Sequence, residues 1–166
     1  MGYLLLGTSG GLIGWSFSGL IRSSLASPDY LIVTGHANVT LHAMLMIFFM
    51  VMPVLMSCFG NWLLPLMCVS PDMMFPRTNN LALWVVAASL ELMAARLLTD
   101  SGPSFGWTLY PPLRSSLSSS GQSADLVILS LHAGGLRRLL GSINFMATAL
   151  NMRGSTCTLR RVNLFA

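Results

Sequence analysis

Four stretches of the chain are apolar for long enough to cross a bilayer, which takes about 20 mostly apolar residues. They run from about Gly2 to Ile21, Val39 to Met67, Leu81 to Leu98 and Leu126 to Leu150. Each is predicted to be helical, because a segment in hydrocarbon must satisfy its own backbone polar groups. The first span carries Gly7, Gly10, Gly11 and Gly14, a composition that favours close approach of a second helix. The second holds Pro53 inside and Pro65 near its end, and a kink at Pro53 is expected. Polar connections separate the spans. Residues 68–80 contain Pro71, Asp72, Pro76, Arg77, Asn79 and Asn80; residues 100–123 are rich in Ser, Pro and Gly and carry Trp107 and Tyr110, aromatics suited to a membrane–water boundary. A basic tail occupies 151–166, and no internal repeat or heptad is evident. The expected fold is therefore an all-α membrane protein, with residues 1–166 forming a single transmembrane region.

Composition sharpens this. Hydrophobic residues make up 54% of the chain and charged residues only 8%, against about 25% charged in soluble proteins. The net charge is +4, and every basic residue is arginine, scattered among apolar runs. Without a basic stripe, nucleic acid is excluded as a partner and the lipid membrane is the expected surroundings. With four spans, the N-terminus, the 68–80 connection and the tail share one side, which carries Arg77, Arg153, Arg160 and Arg161; the other side carries Arg22 and Arg114. The excess of arginine assigns the first side to a matrix or cytoplasm. Cys58, Cys68 and Cys157 form no CxxC pair and suggest neither zinc nor disulfides. No charged segment precedes the first apolar run, so no cleavable signal pattern is present.

A histidine within an apolar span is expensive unless it has a task. His36, His42 and His132 are candidates either for ligation of haem iron or for a packing role bonded to a carbonyl. Asp72, at a membrane mouth in PDMMFPR, reads as a turn residue after Pro71 or as the start of a proton path continued by Asn79, Asn61 and Asn144. Glu91, Arg96, Arg137 and Arg138 fall within spans, where charge demands partners. Spans three and four are joined directly, so an ion pair between Glu91 and Arg137 or Arg138 is expected.

Several strings occur in an order that is itself informative: MIFFMVMP (46–53), FGNWLLPLM (59–67), PDMMFPR with Asn79–Asn80 (71–80), GWTLYPPL (106–113), SLHAGG (130–135) and SINF (142–145). They resemble cytochrome c oxidase subunit I, of the haem–copper oxidase family, and residues 3–22 resemble its first span. The resemblance covers Tyr3 to about Met152. It implies the first third of a bundle of about twelve helices that holds a low-spin haem, a high-spin haem and copper, reduces oxygen to water and pumps protons. His42 matches an axial ligand of the low-spin haem (haem a) by its distance to MIFFMVMP. His36, in VTGHA, locally resembles the same ligand, but six residues make about 1.7 helical turns, so both cannot face one iron; the spacing favours His42. Arg22 matches an arginine near that haem, and Trp107 a tryptophan near its propionates. Asp72 matches the mouth of a proton channel, and Tyr3, Asn61, Asn79 and Asn144 match positions lining it. His132 matches a helix histidine that is not a metal ligand.

The resemblance also implies what this sequence lacks: the second low-spin haem ligand, the high-spin haem ligand and the copper ligands belong to later helices. The expectation is an N-terminal part of the subunit, split or truncated, inactive alone, with copper and high-spin haem on a partner chain carrying the remaining spans. Other oxidase subunits and cytochrome c as electron donor complete the expected partners, in a mitochondrial inner membrane or, as the second choice, a bacterial plasma membrane. Alternatives are a quinol oxidase or a structural remnant without haem or proton role. Arg137 and Arg138 stand where the family commonly has two serines beside the proton channel, and Arg96 stands near another serine pair. A cation beside a proton path opposes proton transfer.

Overall fold

The computed structural model describes residues 1–26, 35–96, 105–115 and 121–154. Its helices are α1 (Gly2–Ala26), α2 (Gly35–Met44), α3 (Gly60–Cys68), α4 (Pro76–Ala95), α5 (Pro111–Arg114) and α6 (Ser123–Asn151). Four helical stretches are long and apolar enough to cross a membrane: Gly2–Ala26, Ala37–Cys68, Pro76–Ala95 and Ser123–Asn151. They correspond to the four expected spans. The third begins earlier than the apolar run because Pro76 occupies the first helical turn, where its missing N–H deprives the helix of nothing and its fixed φ is already helical. Its expected last residues, 97 and 98, lie outside the described residues, as does the tail beyond Gly154.

Between α2 and α3 the chain stays helical but widens into π-helical turns over Leu45–Val51 and Pro53–Phe59. The Met52 N–H reaches back to the Ile47 carbonyl. Pro53 has no N–H to give, and its ring crowds the carbonyl of the preceding turn. Wider turns absorb that mismatch, so the structure has π-helical turns on both sides of Pro53. At the far end, Val69 takes the left-handed conformation (φ 56°) and ends α3. The Ser70 N–H then closes on the Pro65 carbonyl at 2.9 Å, a Schellman-like stop.

The helices pack in two antiparallel pairs, the first span with the second and the third with the fourth. α1 lies against α2 and the widened segment, and α4 lies against α6. The glycine face of α1 makes the first contact close: a Cβ at Gly10 would sit 3.1 Å from Phe49 Cβ and 3.2 Å from its carbonyl oxygen. Between α4 and α6, Ser89 and Ser130 exchange bonds to each other's carbonyls, at 2.6 and 2.7 Å. Both hydroxyls are fully buried. A core of Phe17, Leu41, Met44, Phe49, Met93 and Val127 fills one half of the bundle, and Leu64, Cys68 and Met73 fill the other.

The outer surface is apolar. Leu5, Trp15, Leu55, Trp62, Leu129 and Leu139 are among its large exposed side chains. Together with the four long apolar helices, this identifies a multi-pass membrane protein. One end of the bundle gathers the N-terminus, the 68–75 connection and the exit from α6: Tyr3 bonds Asn79, and the Gly154 N–H bonds the Cys68 carbonyl at 3.0 Å. These are the segments that the arginine distribution placed on one side.

Candidate functional site

Two polar groups lie in opposite halves of the bundle. The first centres on His42, on α2. Its Nδ1 is 2.8 Å from the Gly14 carbonyl of α1. A carbonyl only accepts, so Nδ1–H donates and the lone pair is left on Nε2. That is the arrangement of a metal-ligating imidazole whose other nitrogen is held by a second group. It equally satisfies a packing histidine. Glycine at position 14 permits the approach, since a Cβ there would lie 2.9 Å from Met46 Sδ and 3.2 Å from Leu45 Cβ. Arg22 is exposed, further along α1 beyond Gly14. Trp107, 54% exposed, rides on a tight turn that is docked to α2: the Gly106 N–H donates to Thr40 Oγ1 at 3.1 Å. Gly106 itself has φ +71°, a conformation glycine adopts freely. Arg22, His42 and Trp107 thus share one half of the bundle, and among the described residues no hydrogen bond joins their side chains. His36 also lies on α2, but its side chain is outside the described residues. His132 is exposed and its Nδ1 is 2.8 Å from the Ile128 carbonyl of its own helix.

Whether this half fits a haem turns on the donor set. His42 offers one directed nitrogen. Among the described residues no group of three or more His, Cys, Asp or Glu is placed to hold a metal ion. His42 is the residue that would hold such a group, through that nitrogen.

The second group lies near the end that holds the N-terminus. Tyr3 Oη donates to the Asn79 carbonyl at 2.9 Å and approaches its Oδ1 at 3.3 Å. Asn61 Nδ2 donates to the same Oδ1 at 2.9 Å and to the Ser57 carbonyl at 2.6 Å. Tyr3, Asn61 and Asn79 therefore form one cluster drawn from α1, α3 and α4. They line a cavity of about 470 Å³ together with Ser57 and Cys58. Asn144 is elsewhere: its Oδ1 accepts from the Phe75 N–H at 2.9 Å, and its Nδ2 donates to the Phe75 carbonyl at 3.2 Å. It clamps the 70–75 connection to α6, assisted by Thr148, whose hydroxyl accepts from the Met74 N–H at 3.0 Å. Asp72 is exposed on that connection, and its carboxylate accepts the Met73 N–H at 2.7 Å. That bond is the behaviour of a turn residue, and no bond joins Asp72 to the amide cluster.

The expected ion pair is not formed. Glu91 is exposed on α4, although α4 and α6 do pack together. Arg137 is buried and its Nη1 donates to the Ser57 hydroxyl. Arg138 lies over the Phe48 ring, 5.2 Å from the centroid. Both arginines touch the widened segment of the second span, at Ser57 and Phe48, whereas Glu91 is exposed. Ser57 went unnoticed in the sequence, yet it touches both Asn61 and Arg137. Its place four residues before Asn61, one helical turn away, was the available signal.

The profile of the family described as Cytochrome C and Quinol oxidase polypeptide I matches residues 1–166. The chain belongs to this family. It is 44% identical over 168 residues to a protein named cytochrome c oxidase subunit 1 from Eremothecium gossypii, covering 98% of this chain and 31% of that relative. It is 46% identical over 154 residues to the protein of the same name from Mytilus edulis, covering 90% and 28%. This member of the cytochrome c and quinol oxidase polypeptide I family thus spans less than a third of the length of these relatives and corresponds to the N-terminal region of subunit I.

Proposed function

We propose that this chain contributes to a terminal oxidase one ligand of a low-spin haem and a proton-entry path. The observation that carries the reading is the His42 ring, held through Nδ1 by the Gly14 carbonyl at 2.8 Å with Nε2 left to coordinate. The spacing of His42 to MIFFMVMP favours it over His36. A haem a bound there supplies one-electron transfer. His42 fixes its orientation. Arg22 contributes positive charge on the same side, and Trp107 a polar N–H at the membrane boundary.

In the other half, Asp72 collects protons from water at the exposed connection. Tyr3, Asn61 and Asn79 hold waters in the adjoining cavity, since amides and hydroxyls satisfy water without carrying charge themselves. Asn144 fixes the connection that carries Asp72. The rest of subunit I supplies the second haem ligand, the high-spin haem and copper; other oxidase subunits and cytochrome c, as donor, complete the assembly. The mitochondrial inner membrane is the proposed location, and its matrix side the side of Asp72, in accord with the arginine distribution.

Arg137 favours a second reading of the path alone. It touches Ser57, whose carbonyl receives Asn61, so a cation stands beside the amide cluster. Electron transfer through the His42 half is then retained while proton conduction through this route is weakened.

The test is a reduced-minus-oxidised spectrum of the complex purified in mild detergent. A haem a signal abolished by His42→Ala, and kept by His36→Ala, is expected. An intact complex without haem, or a signal indifferent to His42, refutes the ligand assignment.

A further inference from the structure

Arg138 presents an electrostatic problem that no carboxylate among the described residues solves. It lies one residue past the midpoint of α6 (Ser123–Asn151), so at about 1.5 Å per residue it is roughly 20 Å from either helix end. Lipid phosphates at the bilayer surface are out of its reach. Asp125 lies in the first turn of α6, Asp72 on the 70–75 connection, and Glu91 is exposed on α4. Arg137, its neighbour, is buried against the Ser57 hydroxyl. Arg138 is half-buried and rests on the Phe48 ring face. A ring face offsets only part of the cost of a cation in a membrane interior. The Nε of Arg138 is closed in without a hydrogen-bond partner, which leaves its two Nη groups to meet a counter-charge.

Beside Arg138 the second span and α6 leave a groove on the outer surface. Its first part is a cavity of about 200 Å³ bordered by Arg138, Leu139, Gly141 and Met56. It continues into one of about 530 Å³, lined by Leu55, Phe59 and Leu63 from the second span and by Met146 and Ala149 from α6. Met56 and Phe145 line both. On each helix the lining residues recur every three or four positions, so they form one face. Met56 is 58% and Leu139 63% exposed, and a Cβ at Gly141 would meet nothing within 4 Å. That is room for close approach of another helix. From Arg138 to Ala149 the groove follows α6 for about 16 Å, three helical turns.

We propose that this groove is the docking site of a membrane helix from the part of subunit I outside these residues, and that this helix carries one carboxylate, which pairs with Arg138. The proposal rests on the reading that the rest of subunit I joins this chain, and it uses neither His42 nor the Asp72 connection. The chain spans less than a third of the length of its relatives, so most of the subunit's length lies outside it. Apolar walls three turns long receive the side-chain ridge of a helix. A lipid acyl chain would fill the same walls but leave the cation uncompensated. Charge decides between them: a guanidinium in the middle of the membrane matches a carboxylate through two parallel bonds, and a lone carboxylate on an apolar helix is stable at that depth only when paired.

The experiment places photoreactive benzoylphenylalanine at Met56 in the membrane-embedded complex. Peptide masses, after purification in mild detergent, identify what it captures, and haem content and the subunit I peptides present are recorded in the same samples. Capture of an apolar segment from the rest of subunit I, with an Asp or Glu within about two helical turns, is expected. Arg138→Met should lower the captured fraction about tenfold, as for the loss of one charge-assisted hydrogen bond. Arg138→Lys keeps the charge and should restore most of it. Capture of lipid, of another subunit or of a segment without a carboxylate overturns the proposal. So does capture that Arg138→Met leaves unchanged, or a peptide mass that carries serine at 138. If Arg138→Met fails to assemble, capture in the otherwise unaltered complex decides alone. A complex that lacks the rest of subunit I refutes the underlying reading and the proposal together, whereas its presence without capture refutes the proposal alone.

Discussion

Asn144→Ala should free the connection that carries Asp72 without unfolding the bundle. Asn144 makes two bonds to the Phe75 backbone, at 2.9 and 3.2 Å. A net bond contributes about 1 kcal/mol, so the pair contributes about 2 kcal/mol to keeping the connection closed. The larger penalty for orphaned buried groups does not apply, because residues 71, 72 and 74–77 are exposed and water can replace the lost partners. At about 1.4 kcal/mol per decade, amide exchange within 72–76 should accelerate about 30-fold. Thr148→Val removes one bond to the same connection, that of the Met74 N–H, and should accelerate exchange about fivefold by the same arithmetic. Hydrogen–deuterium exchange read by mass spectrometry on the purified complex measures both. Peptides from the middle of α4 and α6 should be unchanged. An Asn144→Ala effect no larger than that of Thr148→Val, or acceleration spread over the whole chain, would refute the assignment of Asn144 as the clamp.

The serine pair between α4 and α6 is suited to a double-mutant cycle of Ser89→Ala and Ser130→Ala, with a coupling of about 0.6 kcal/mol and at most about 1.7 kcal/mol in detergent unfolding; zero coupling would show that the two exchanged bonds are readily replaced. Gly10→Leu should block assembly of α1 on α2, because the added atoms meet the Phe49 backbone, whereas Gly19→Leu should be tolerated, since a Cβ at Gly19 meets nothing within 4 Å. Equal yields of assembled complex from both variants would contradict the close approach. Val69→Gly should stabilise the end of α3 by about 1 kcal/mol, because φ 56° strains a β-branched residue; the midpoint of thermal inactivation measures it, and a lowered midpoint would show that Val69 contributes more by packing than it loses to strain.

The four spans were legible in the sequence because hydrocarbon leaves little choice: long, mostly apolar runs become helices. The tight glycine face of α1 was legible for the same reason. Details set by partners were not. Pro53 signalled a disturbance, but wide turns on either side of it depend on how the neighbouring helices receive the chain. Asn144 lies on the expected span, yet its sequence position does not reveal that both ends of its amide are taken by the Phe75 backbone. The Glu91 pairing failed through rotation. α4 and α6 do meet, but Ser89 occupies the facing stripe and Glu91, two positions on, is turned about 200° from it at 3.6 residues per turn. Charge alone suggested the pair; helical phase forbade it.

Ser57 is where the amide cluster meets a buried arginine. Its carbonyl receives Asn61, and its hydroxyl receives Arg137. Asn79 in turn receives both Asn61 and Tyr3. One buried cation is therefore two residues removed from the centre of the amide cluster, while His42 is tied to Gly14 in the opposite half. Distance separates the consequences: substitutions that share no partners act independently. Losing His42 should leave the amide cluster intact, and neutralising Arg137 should leave the haem ligand intact. The field of Arg137 acts on the cluster and opposes the arrival of a proton there, so the Arg137→Gln variant should ease proton entry while leaving the His42 half unchanged.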